Sequence, residues 1–328
     1  MLRSETEATP SRMKTALAGL RRYQEAERAP PPAPMPALAE KHGATLRDYG
    51  WDGPPVLFIP SLINPPNVLD MGERSLLRWL AARGHRVLLL DWGWPGPDRH
   101  ALNVAGHVEQ IALPLLREIG EPVDLVGYCL GGTMALAAAQ LGPVRSVATL
   151  AAPWHFKGFP AESREKLGAL WAGAEPAVEA LGVLPMEVLQ SAFWSLDPAR
   201  TIAKFEDFAS LEGDAARTFV MLEDWANDGP PVPGAAAREM FEGLFRDDLP
   251  GSGRWRVGGE IIDPASLSVP LLNIVSTTDR IVPHATAPTA GERLDLGLGH
   301  VGMVVGARGR AQLWEPLAAW LSRAAAKC

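Results

Sequence analysis

The stretch "VDLVGYCLGGTMALAAA", residues 123–139, joins an apolar run to an alanine-rich run through a turn that holds three glycines and one cysteine. Val123 to Tyr128 has the length and composition of a strand buried on both faces, and Leu130 to Leu141 those of a buried helix. With Gly127 two residues before Cys129 and Gly131 two residues after it, the spacing is that of a nucleophile elbow. In such a turn, side chains flanking the apex collide with the elements being joined, and the apex residue is held in strained backbone. The turn lifts the thiol above the sheet edge and aims the first helical amides, Leu130 N–H foremost, at negative charge forming beside it. The same helix N-terminus activates a thiol. A free cysteine is more often a small buried apolar residue, but strand, helix and both glycines together favour the chemical reading.

The rest of the chain repeats this alternation. Apolar runs at 54–61, 86–92, 122–128, 144–153, 269–283 and 293–304 read as strands, and 73–85, 103–119, 130–141 and 308–325 as helices. This rhythm predicts an α/β fold with a mostly parallel central sheet and helices on both faces. It breaks at Pro153. Residues 154–265, rich in Trp, Phe, Met, Gly and Pro, predict a helical cap inserted into a core formed by 44–153 and 266–328. Residues 1–43 predict a charged helix followed by an extended strap, because "APPPAPMPA" (29–37) favours polyproline geometry. The cap aromatics Trp154, Trp171, Phe193, Trp194, Trp225 and Phe241 are read as core rather than as the lining of an acyl channel.

Charge and cysteine content narrow the function. A net charge of −7 over 328 residues argues against nucleic-acid partners, which require a basic face. Cys129 and Cys328 alone make neither a disulfide framework nor a zinc site, and no metal is expected. No secretory leader and no run of about 18 uninterrupted apolar residues is found, so a soluble, cytoplasmic chain without a membrane span is expected.

A nucleophilic thiol needs a base, and the base an orienting acid. In an elbow architecture the chain order is nucleophile, acid, base. "STTDRIVP" places Asp279 just after a strand, and "LGLGHVGM" places His300 after the next. His42, His85, His100, His107, His155 and His284 are read as structural or surface residues. A second oxyanion donor is expected from the loop after the first clear strand, "PSLINPPNVLD" (60–70), with Leu62 or Ile63 N–H as candidates.

Four stretches together resemble the polyhydroxyalkanoate synthase (PhaC) family: "PSLINPPNVLDM", "LLLDWGWPGPD", "GYCLGGTMALAAA" with "LAAPWHF", and "NIVSTTDRIVP" followed by "GHVGM". Cysteine at the elbow is the specific sign. The resemblance is to short forms without a long N-terminal domain, and it covers most of 54–156 and 269–321. It implies an α/β-hydrolase fold, with Cys129 as nucleophile, Asp279 as acid and His300 as base. It further implies acyl transfer from 3-hydroxyacyl-CoA thioesters to a growing polyester, with CoA as part of the substrate and no cofactor. The implied partners are acyl-CoA, a polyester granule surface, and a second synthase subunit or a second copy of the chain. "DWGWP" at Asp91 to Pro95 matches a family signature expected to be structural or pocket-forming. Two other readings are consistent with the same residues: a thioesterase or depolymerase, if water is the acceptor, and a noncatalytic granule- or synthase-binding paralogue.

Overall fold

The computed structural model describes residues 2–325 except Ala8, Ala29 and Pro31; Cys328 lies outside the described residues. The chain divides into two compact units. The larger, residues 34–185 and 230–328, is built on one sheet. Its strands are β1 (Ala37–Lys41), β2 (Ala44–Asp48), β3 (Pro55–Ile59), β4 (Arg86–Asp91), β5 (Val123–Tyr128), β6 (Val144–Leu150), β7 (Leu271–Ser276) and β8 (Glu292–Leu296). They lie in the order β1-β2-β4-β3-β5-β6-β7-β8. β2 runs antiparallel to both β1 and β4, and every neighbouring pair from β4 across to β8 is parallel. Position in the sheet explains sequence character. β3, β5 and β7 are buried at every residue, so they are continuously apolar or nearly so, while the edge strand β1 is largely exposed and lacks that signal.

β1 starts within the segment expected to be a proline strap. It turns back at His42 and Gly43, both with positive φ (49° and 73°), to pair with β2. At an edge, backbone pairing matters more than side-chain burial, so no apolar pattern announces the strand. The helix after β5, Leu130–Leu141, is buried over its first ten residues, Leu130 through Ala139. Its glycines and alanines let it lie close against the sheet.

The smaller unit joins residues 1–33 to 186–229. Helix Pro10–Gln24 packs against helix Pro198–Phe208. Arg12 on the first bonds both carboxylate oxygens of Glu206 on the second, at 2.9 and 3.0 Å. Tyr23, Phe205, Phe208 and Phe219 form the unit's aromatic centre, with Phe208 and Phe219 stacked at 4.2 Å and Tyr23 edge-on to Phe205 at 5.9 Å. Tyr23 also donates to Asp224 at 2.6 Å.

The 154–265 excursion is therefore divided. Residues 186–229 belong with the N-terminal helices, and 154–185 and 230–265 belong with the sheet. Within the sheet unit Trp171 and Phe241 are buried and stacked at 5.3 Å, and buried Trp154 meets Trp255 edge-on at 6.1 Å. Trp194 corrects the expectation of a core residue: it is 42 % exposed, on the helix Met186–Leu196 of the smaller unit.

Candidate active site

Three strand ends on the same edge of the sheet supply the site. Cys129 follows β5, Asp279 comes shortly after β7, and His300 shortly after β8. Parallel strands gather residues scattered from position 129 to position 300, because β5, β6, β7 and β8 are successive neighbours in the sheet.

Cys129 is the apex of the turn, with φ 56° and ψ −131°. That conformation costs a non-glycine residue about 1–3 kcal/mol. Its N–H donates to Leu150 O at 2.9 Å, and its carbonyl accepts from Gly132 N–H at 2.8 Å. The flanking glycines are required by space. A Cβ on Gly127 would lie 2.4 Å from Gly132 Cα, and one on Gly131 would lie 2.1 Å from Ile59 O. The second contact shows that the end of β3 and the loop after it rest directly on the first turn of the helix.

Asp279 and His300 are both 8 % exposed. His300 Nδ1 lies 2.5 Å from Asp279 Oδ2; a carboxylate can only accept, so Nδ1 carries the proton. Asp279 Oδ1 accepts from Ile281 N–H at 2.7 Å and Val282 N–H at 3.0 Å, which fixes the carboxylate in the turn after β7. Burial acts to lower the His300 pKa, but the negative charges that Cys129 and Asp279 can present to it and the hydrogen bond to Asp279 outweigh it and raise the imidazole above its ordinary value.

Tyr128, which the sequence did not single out, supports the imidazole. Its ring stacks on His300 at 5.0 Å and its hydroxyl donates to His300 O at 3.2 Å. Its position inside the elbow motif is visible in the sequence, but its contact depends on how the loop after β8 folds back.

The expected oxyanion donors separate. Leu130 begins the helix beside Cys129. Ile63 N–H donates to Ser61 Oγ at 3.0 Å, within its own loop. The "DWGWP" segment holds that loop: Trp92 Nε1–H donates to Pro60 O at 3.0 Å, and Asp91 Oδ1 accepts from Gly93 N–H at 3.1 Å. Among the described residues no cluster of three or more His, Cys, Asp or Glu is arranged to hold a metal ion. No helix among them is long and apolar enough to cross a membrane.

A strained residue between strand and helix, with a carboxylate-bound histidine delivered from later strands, defines an α/β-hydrolase site. The chain belongs to the alpha/beta hydrolase family, whose model matches residues 42–311. Within it, the chain is similar to poly(3-hydroxyalkanoate) polymerase subunit PhaC of Synechocystis sp., at 29% identity over 82% of this chain and 77% of that protein. The PhaC subunit of Allochromatium vinosum is 28% identical over 82% of this chain and 80% of its own length. Among solved structures, Rv0554 from Mycobacterium tuberculosis shares the fold, with a TM-score of 0.53 and 17% identity over 87% of this chain and 93% of that one.

Proposed function

We propose that this chain is a polyhydroxyalkanoate synthase-type acyltransferase using Cys129 as nucleophile. The observation that carries the proposal is a cysteine on a strained elbow at the same sheet edge as a histidine that Asp279 orients. His300 Nε2 takes the Cys129 proton, and the sulfur attacks the carbonyl of a 3-hydroxyacyl-CoA thioester. Leu130 and Leu62 N–H stabilise the oxyanion. The C–S bond to CoA breaks, and the CoA sulfur leaves with the proton from His300, so one thioester replaces another. His300 then takes the hydroxyl proton of a second 3-hydroxyacyl group, whose oxygen attacks the acyl-enzyme. An ester forms and the Cys129 sulfur is released and reprotonated. The scheme balances with no cofactor. An insoluble product would hold the chain at a granule surface in the cytoplasm, alone or with a second subunit.

The test is incubation with 3-hydroxybutyryl-CoA, following free thiol and product, with Cys129→Ala alongside. CoA release with polyester, lost in the variant, is expected. Release of free 3-hydroxybutyrate alone identifies a hydrolase, and release that survives Cys129→Ala refutes the nucleophile.

A further inference from the structure

Arg99 is 1 % exposed, follows β4, and donates through Nη1 to the carbonyl of Trp92; its Nε is buried without a hydrogen-bond partner. Burial lowers its pKa, with the charges of Asp98 and Asp91 opposing. A buried cation held mainly by a backbone carbonyl is a poor source of stability. What it contacts is specific: the Trp92 indole donates to Pro60 O, and Pro60 lies against Gly131 at the start of the elbow helix. His107, also fully buried, meets the Trp92 ring edge-on at 5.8 Å, with Nδ1 on Asn103 O at 2.8 Å.

We propose that Arg99 and Trp92 are positioning residues that set the orientation of the 60–62 backbone, and hence of the Leu62 N–H, against the elbow. This rests on the oxyanion role proposed above. Pinning Pro60 O fixes the Pro60–Ser61 peptide plane, from which the Leu62 amide is one residue removed, and Arg99 fixes the Trp92 backbone that carries the indole. Neither residue touches the reacting atoms.

The test separates a step that forms an oxyanion from one that does not. Alkylation of Cys129 by iodoacetamide requires a reactive sulfur only; acylation by 3-hydroxybutyryl-CoA also requires the oxyanion donors. Trp92→Phe keeps an aromatic ring and removes the N–H. It should slow acylation about 10–100-fold through kcat, with KM and alkylation within about twofold of the parent. Arg99→Met should show the same split while melting no lower than the parent, because it removes a buried charge. Equal acylation in both variants and the parent overturns the proposal, as does a parallel fall in alkylation and acylation. If Trp92→Phe does not fold, Arg99→Met decides alone, and a lower melting temperature with unchanged acylation assigns Arg99 a structural role. A parent that alkylates but never acylates refutes the function itself, and the positioning role with it.

Discussion

Gly131→Ala tests the elbow where space is tightest. The added Cβ would lie 2.1 Å from Ile59 O and 2.5 Å from both Pro60 C and Pro60 O, where ordinary contact begins at 3.4 Å. All three atoms are backbone, so no rotamer relieves the overlap. The loop and the helix must separate by about 1 Å or more, which moves Leu62 and Leu130 apart. Overpacking of this kind costs about 1–3 kcal/mol of stability, and a displacement of about 1 Å at a reacting centre lowers the rate on the order of 100-fold. The assay is the rate of CoA release on mixing with 3-hydroxybutyryl-CoA, with a thermal melt on the same sample. Gly168→Ala, in the helix Ala161–Leu181, is the control, since nothing lies within 4 Å of its Cβ. A Gly131→Ala protein that releases CoA at the parent rate would refute the claim that loop and elbow act as one geometry.

Other expectations follow from the same contacts. Asp279→Asn leaves a side chain that still fits the turn but no longer fixes the His300 tautomer, and CoA release should fall on the order of 10³–10⁴-fold. Cys129→Ala removes the charge that raises the His300 pKa, so its NMR titration should move to lower pH than in the parent. Because the folded pKa is raised above 6.5, the protonated imidazole adds stability that is fully present below pH 6.5 and lost as pH rises toward about 10; the parent's melting temperature should fall across that window, and less steeply in Cys129→Ala. Asp124→Asn breaks a buried pair, in which Arg145 lies 2.7 Å from a fully buried carboxylate. Urea denaturation should show a loss of about 3–5 kcal/mol.

The elbow and the order of its partners could be read from the sequence because both are local. Gly127 and Gly131 are demanded by their immediate neighbours, and Asp279 and His300 each follow a run that reads as a strand. Residues whose roles depend on distant packing could not be read this way. β1 is an exposed edge with no alternation, and Tyr128 acquires its partner only when residue 300 folds over it. The division of 154–265 was hidden for the same reason: Asp224, which accepts from Tyr23, lies 201 residues further along the chain.

That last pairing has a consequence for synthesis. Helix Pro10–Gln24 is complete long before its partner Pro198–Phe208 leaves the ribosome. At about 5–20 residues per second, the delay is roughly ten to thirty-five seconds. Through that interval Tyr23 lacks Phe205, Phe219 and Asp224, and the strands up to β6 are made before those partners appear. A helix made well before its partners must wait for them to find its place.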